Sequence, residues 1–472
     1  LDHLDGIGTC WPGDVENPMS FSPTTFQGSR FLVLGLARSG LPVALALQRL
    51  GADVTAWDDS YDRRDAAIIA GLRVADPTTG FAADALVMSP GIPHRLPQPH
   101  PVAVRALAQG TPIISDVELL FRAVRQCGSR ARFVGITGTN GKSTTTALLA
   151  HILAVAGIAV QAGGNLGTTA LALDWLGDDG VYVLEMSSYM LERLATMRFD
   201  VAALLNLSPD HLDRHGTMDG YLAAKRAIFD RQGSEDCAII GIDDPVTASV
   251  AENLLAATVT ISGVGAADVG CIDGALTDRQ GILLAMRDAV TLPGAHNAQN
   301  AAAAAAAAMR LGVDRASVVR GIMSFAGLAH RQQRVANIDG VDYINDSKAT
   351  NADAASRALA CYERLIWIAG GIAKSDGIAP LARFFPNIVE ALLIGRDAPL
   401  LAETLRAHGV RYRMIGTLEN AVTAARDSAC NHHVPTVLLS PACASFDQFS
   451  GFDARGDRFA DLVRGLQQAQ AV

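Results

Sequence analysis

Lys142, Ser143 and Thr144 follow a run of glycines in FVGITGTNGKSTTT, residues 133–146. An apolar run, a glycine-rich turn and a helix-forming stretch in that order make a phosphate cradle, with backbone N–H groups and a helix N-terminus facing anionic oxygens. Lys142 can reach outer phosphates and the Ser143 hydroxyl can ligate Mg²⁺, so the expected ligand is ATP. The spacing departs from G-x-x-x-x-G-K-[ST]: Ile136 stands where the first glycine belongs, flanked by Gly135 and Gly138. Glu185 ends the apolar run VYVL, and a carboxylate at a strand end beside such a loop is a natural Mg²⁺ ligand. Further on, PDHLDRH gathers Asp210, His211, Asp213 and His215 at another strand end, where a solvated polar turn is the other reading. Lys225, in YLAAKRAIF, reads from the residues alone as surface charge on a helix.

Three groups of elements must position these residues. FLVLG, GLARSG, a helix from about Leu41 to Leu50 and the strand DVTAW make a βαβ start that ends at Asp58, roughly 20 positions past the turn, as in dinucleotide folds. That turn carries Gly35 and Gly40 but has Ala37 in place of a middle glycine, so a structural unit and a nucleotide-like site both stay open. ALVM then runs into Ser89-Pro90-Gly91, a turn at a strand's carboxyl end, where ligands of open parallel sheets sit. After the phosphate loop, VYVL and VAALLNLS read as strands, as do AIIGIDD, ATVTISGVG and GILLAM. LPGAHNAQN places His296 and Asn297 in a loop before an alanine-rich helix that contains Asn300. The last third alternates strand and helix, with NDSKATN and GGIAKSDG at strand ends, which predicts a parallel, doubly wound sheet.

A chain of 472 residues, 49% apolar and rich in Gly and Ala, fits an α/β enzyme of several domains. A net charge of -9 argues against a general nucleic-acid partner. The seven cysteines form no C-x-x-C pair, which fits a reducing compartment without a zinc cluster. The first residues, LDHLDGIGTCWPGDVENP, resemble neither a signal peptide nor a membrane span. The alanine run 301–308 is too short and too weakly apolar to cross a bilayer.

GTNGKST, GGNLG, YVLEMSSYMLE, DHLDRH, AAKRAIF, GAHNAQNAAAA, HR, NDSKATN and SPACASFDQF occur in this order over nearly the whole chain. Together they resemble the Mur ligase family, and NDSKATN, GGIAKSDG and SPACASFDQFSGF resemble its D-glutamate-adding branch. The resemblance implies a Rossmann-like domain over 1–121 for a UDP substrate, a central P-loop ATPase-like domain with a parallel sheet over 122–327, and a Rossmann-like domain over 328–472 for the amino acid. It implies ATP-dependent joining of UDP-N-acetylmuramoyl-L-alanine to D-glutamate in the cytoplasm, with Mg²⁺ at two sites and a monomeric enzyme.

By position, the resemblance puts Gly138, Thr139, Asn140, Gly141, Lys142, Ser143 and Thr144 on the ATP phosphates. It makes Ser143 and Glu185 ligands of one Mg²⁺, and His211 and a carbamylated Lys225 ligands of the other. Asn297, Asn300, Arg331 and Asp346 would contact the nucleotide, with Lys348 near the transferred phosphate. Ser39, Asp58, Ser89, Pro90 and Gly91 would surround the uridine diphosphate, and Asn165 the muramoyl-L-alanyl end. Thr350, Lys374, Ser445, Phe446 and Phe452 would line the D-glutamate pocket. Three other readings stay open: a related ligase for another amino acid or a folate-type acceptor, a nicotinamide-dependent oxidoreductase built on the first domain, and a nucleotide-binding module without ligation.

Overall fold

The computed structural model describes residues 21–374 and 377–470, so the reading of the first eighteen residues lies outside the described part. The chain divides into two compact units, Leu1–Val259 with Arg310–Val313, and Thr260–Met309 with Asp314–Val472.

The first unit holds two parallel sheets. In the first, β1 (Arg30–Leu34), β2 (Asp53–Trp57), β3 (Arg73–Val74), β4 (Ala85–Met88) and β5 (Ile113–Ile114) lie in the order β3-β2-β1-β4-β5. β1 and β4 are apolar runs buried almost throughout, as strands covered on both faces must be. The strand order reverses between β1 and β4, which opens a crevice at their carboxyl ends. The helix Gly40–Arg49 starts one residue before the expected Leu41. In the second sheet, β6 (Arg132–Thr137), β7 (Val160–Gly164), β8 (Val181–Glu185), β9 (Val201–Leu204) and β10 (Cys237–Gly241) lie in the order β7-β8-β6-β9-β10, also parallel. β9 is shorter than the expected VAALLNLS, because the chain leaves the sheet at Leu205 to meet the phosphate loop. Phe133 and Tyr182 stack at 4.9 Å between centroids in the core beneath.

β11 (Ala257–Ser262) pairs parallel with β12 (Val269–Ile272), and in the second unit β12, β13 (Ala275–Asp278) and β14 (Gly281–Ala285) form antiparallel hairpins. The helix Ala295–Arg310 begins early enough to include His296 and Asn297, which corrects their expected loop placement. Its alanines 301–308 are all buried, so the run is a closely packed core helix. The last sheet has the order β15-β16-β20-β17-β18-β19: β15 (Gln333–Ile338), β16 (Val341–Asn345), β17 (Leu365–Gly370), β18 (Ile388–Ile394), β19 (Tyr412–Gly416) and β20 (Thr436–Leu439). It is parallel except for the antiparallel edge strand β15, which the expectation of an all-parallel sheet missed. β15 follows its neighbour's edge as a hairpin partner, a pairing that needs no crossover helix. The α/β class and doubly wound architecture stand as expected. Among the described residues, no helix is long and apolar enough to cross a membrane.

Candidate active site

β6 delivers the phosphate loop. Ile136 is fully buried within the strand, so the position of the missing first glycine belongs to the sheet and the turn proper begins at Gly138. A Cβ on Gly135 would press on Phe199 and Ile228 at 2.8–2.9 Å, so this glycine serves packing. Gly138 (φ 151°) and Gly141 (φ 85°) take backbone conformations that L side chains rarely adopt, and Gly141 precedes the helix Lys142–Val155. Asn206, just beyond β9, fixes the turn from the side: its carbonyl accepts the Thr139 N–H at 2.9 Å, its Oδ1 accepts the Asn140 N–H at 2.9 Å, and its Nδ2 donates to Asn140 O at 3.2 Å.

Two lysines converge on this loop. Lys142 Nζ donates to Gly138 O at 2.9 Å and Thr139 O at 2.7 Å. Lys225 Nζ donates to Gly138 O at 2.8 Å and lies 4.6 Å from the Tyr221 ring centroid. Lys225 is 1% exposed, so its reading as a surface charge is wrong: the helix Met218–Arg226 turns that face into the protein. Burial, with the charge of Lys142 second, holds its pKa well below the ordinary lysine value, so a neutral amine is accessible there. His211 stands in a left-handed turn (φ 53°), its ring 5.2 Å from Tyr189 and 6.2 Å from Tyr221, so it and Lys225 share the same tyrosine. Burial lowers the His211 pKa and favours the neutral ring that ligates metals.

Glu185 is the last residue of β8 and pairs with Ile136 in register, which sets it beside the loop. Asn165 Nδ2 donates to its Oε1 at 2.7 Å. Its Oε2 is buried with no hydrogen-bond partner among the described residues. A buried carboxylate oxygen without a donor beside a phosphate loop fits a divalent cation.

In the first domain, Asp58 Oδ2 accepts the Leu36 N–H at 2.7 Å and Oδ1 accepts the Ser60 N–H at 2.9 Å. Asp58 thus ties down the GLARSG loop. Ser89 Oγ donates to Gly35 O at 2.8 Å, and a Cβ on Gly40 would collide with Gly35 O. Ser39, Ser89 and Pro90 meet around the crevice between β1 and β4.

Within the second unit, Asp346, Lys348 and Thr350 follow β16 directly, and Asn351 caps the helix Ala352–Leu359, as expected. Asp346 accepts from Gln332 N at 3.2 Å and Ser440 Oγ at 2.7 Å, and burial pushes its carboxyl up to about 7. Arg331 lies one residue from Gln332 and acts on Asp346 electrostatically. His296 and Gln332 side chains meet at 3.2 Å, which brings the Asn297–Asn300 pair (3.1 Å apart) alongside. Lys348 Nζ lies 3.7 Å from the Phe452 ring centroid. A two-bond bridge between Ile372 and Ala444 (2.8 and 2.9 Å) sets the Lys374 loop beside buried Ser445. Phe446 is 71% exposed. Arg455, fully buried, donates to Ser347 Oγ, Ser347 O, Cys443 O and Gly370 O at 2.9–3.4 Å and so ties together the ends of three strands.

Sequence reasoning missed Asn206 and Arg455. A polar residue directly after the apolar run VAALL was a signal for Asn206 once β9 is paired with β6. Arg455 carries no local signal, because its partners lie in distant segments of the chain.

Residues 136–308 match the Mur ligase middle domain and residues 330–443 the Mur ligase, glutamate ligase domain. The chain belongs to the Mur ligase family. It is 48% identical over 466 residues to the UDP-N-acetylmuramoylalanine--D-glutamate ligase of Rhodospirillum rubrum, covering 95% of this chain and 97% of that one. It is 46% identical over 458 residues to the protein of the same name from Caulobacter vibrioides, covering 93% and 97%. Among solved structures, MurF from Acinetobacter baumannii (TM-score 0.62, 18% identity, 95% of this chain and 99% of that one) and the UDP-N-acetylmuramate-alanine ligase MurC from Thermotoga maritima (TM-score 0.60, 18%, 93% and 99%) share the fold.

Proposed function

We propose that this chain joins UDP-N-acetylmuramoyl-L-alanine to D-glutamate through an amide bond, at the expense of ATP, during peptidoglycan precursor synthesis. The observation that carries this reading is the 48% identity to a ligase of that name over 95% of this chain and 97% of the relative. The domains take the roles of UDP-substrate binding over 1–121, ATP binding over 122–327 and amino-acid binding over 328–472. The enzyme works as a monomer in the cytoplasm, where ATP and nucleotide-linked sugars are available.

Carboxylate and amine need activation, because neither a carboxylate carbon nor an ammonium nitrogen reacts in water. The loop 138–144 orients the triphosphate, and Lys142 exchanges its contacts to Gly138 O and Thr139 O for the outer phosphates. The substrate carboxylate attacks the γ-phosphorus and forms an acyl phosphate, while Lys142 offsets the charge that gathers there. The D-glutamate amine then attacks the acyl carbon, and phosphate leaves with one oxygen of the original carboxylate. Ser143 and Glu185 would hold one Mg²⁺, and His211 with a carbamate on Lys225 a second; bound Mg²⁺ supplies charge neutralisation at the transferring phosphoryl group. The depressed Lys225 pKa supports the carbamate, since CO₂ adds only to a neutral amine. Asn165 orients Glu185 through its 2.7 Å bond. Asn297, Asn300, Arg331 and Asp346 bind the nucleotide. Thr350, Lys374, Ser445, Phe446 and Phe452 bind D-glutamate, with Lys374 and Ser445 as partners for its two carboxylates.

The test is incubation with ATP, Mg²⁺, UDP-N-acetylmuramoyl-L-alanine and a panel of amino acids, followed by mass measurement. A product that appears with D-glutamate alone is expected. A product with a different amino acid reassigns the substrate, and ATP turnover that needs no acceptor removes ligation.

A further inference from the structure

Arg193 lies in neither metal ligand set nor the phosphate loop. It sits eight positions beyond Glu185, just past the short helix Ser188–Leu191, and is 2% exposed. Its Nη1 donates to Met88 O at 2.9 Å and Ser89 O at 3.0 Å, and its Nη2 donates to Ile92 O at 2.5 Å. Its Nε donates to His94 Nδ1 at 3.4 Å, and its carbonyl accepts the Ser115 N–H at 3.3 Å. One side chain from the central domain therefore holds both ends of the Ser89-Pro90-Gly91 turn in the first. The contact passes on: Ser89 Oγ donates to Gly35 O at 2.8 Å, in the opposite loop of the same crevice.

Among the described residues, no carboxylate comes within ion-pair distance of Arg193. Glu192 acts on it only at longer range, and Arg214, whose Nη2 also reaches Ile92 O at 3.4 Å, adds a second positive charge. Burial first and then Arg214 lower its pKa to about 9, so it remains a cation at neutral pH. A buried cation held by carbonyl dipoles and an imidazole nitrogen, with no carboxylate beside it, keeps much of its field, which extends towards an anion at the turn. The turn needs no guanidinium merely to exist, since Pro90 and Gly91 already favour it.

We propose that Arg193 is a positioning residue for the diphosphate of the UDP substrate: it fixes the Ser89–Gly91 turn in its binding shape and adds favourable charge behind it. This rests on the reading above that the Ser89–Gly91 turn receives the uridine diphosphate. The same segment that carries Glu185 then sets the first-domain loop, so the two ends of one substrate are registered through residues 185–193.

The test compares steady-state constants of the full-length wild type, Arg193→Met and Arg193→Lys. Losing charge-assisted bonds to the turn raises KM for UDP-N-acetylmuramoyl-L-alanine about 10- to 100-fold in Arg193→Met. The rise is smaller in Arg193→Lys, which keeps the charge but not the fork. KM for ATP and for D-glutamate, and kcat, stay near wild type; a merely structural role would move all of them together. Unchanged KM for the UDP substrate in either folded variant overturns the inference. Wild-type hydrogen exchange with UDP alone gives a test without substitutions: protection extends from residues 86–94 into 188–194, and protection confined to 86–94 overturns the inference. A wild type that binds UDP with the extended protection but fails to ligate D-glutamate removes the functional reading and leaves this one standing.

Discussion

The first and second sheets of this chain each end a central strand in a glycine turn and start a helix from it, yet the two turns have been finished differently. In the first domain the polar groups at the turn are matched internally: Asp58 takes the Leu36 N–H, and Ser89 takes the Gly35 carbonyl. In the central domain two amines and a bare carboxylate oxygen remain around the turn: Lys142 and Lys225 share Gly138 O, and Glu185 Oε2 has no partner among the described residues. The first arrangement suits rigid binding of a substrate part that does not react. The second suits chemistry, in which weak internal contacts are exchanged for phosphate and metal. Strand–turn–helix geometry alone does not distinguish the two; the charges set around it do.

Substitutions can break this contrast. The largest effect is expected for Lys142→Ala, with kcat for ligation down by about 10³-fold or more and the UDP-substrate affinity unchanged, read by coupled ADP release and by calorimetry. Near-normal turnover would put the first and central turns on the same footing. Lys225→Ala should lose about 10²-fold in kcat and recover part of it with added formate or acetate, which restore an anionic oxygen at the vacated site. Full activity without rescue would leave Lys225 a structural amine. Asp58→Ala leaves the Leu36 and Ser60 N–H groups without their acceptor, so the KM for the UDP substrate should rise about tenfold with little change in kcat. A fall in kcat with constant KM would make the first turn part of the chemistry.

The mouth of the last sheet gives the smallest and most specific test. Folded Asp346 holds its proton up to about pH 7, whereas its unfolded value is the ordinary one near 3.8. With the folded pKa raised, its stabilising contribution is full below the unfolded pKa and is lost as pH rises through the folded one. Wild type should therefore lose about 2–3 kcal/mol relative to Asp346→Asn between about pH 5 and pH 8, measured by urea unfolding. A constant difference would mean that Asp346 is ionised throughout.

Much of this was legible in the residues. Gly138 to Thr144 and Glu185 announce themselves because a glycine turn and a strand-end carboxylate are local features, and the strands that carry them are continuous apolar runs. Asp346 to Asn351 reads correctly as strand, polar turn and helix cap for the same reason. Lys225 did not, because AAKRAIF fits either a surface helix or one whose lysine faces inward, and tertiary packing decides. Pro293 and Gly294 mark a break, so His296 and Asn297 read as loop residues; the helix begins at Ala295, right after that pair. Asn206, Arg193 and Arg455 bind backbone carbonyls or amides from other segments, and no spacing rule encodes a partner of that kind. The antiparallel β15 is missed because HRQQRVANIDG carries no more alternation than its parallel neighbours.

The acyl phosphate is the centre of the account, and isotope transfer tests it most directly. With both carboxylate oxygens of UDP-N-acetylmuramoyl-L-alanine labelled with ¹⁸O, ligation to D-glutamate should deliver one label to inorganic phosphate and leave the other in the new amide. Phosphate released without label while the amide forms would contradict it.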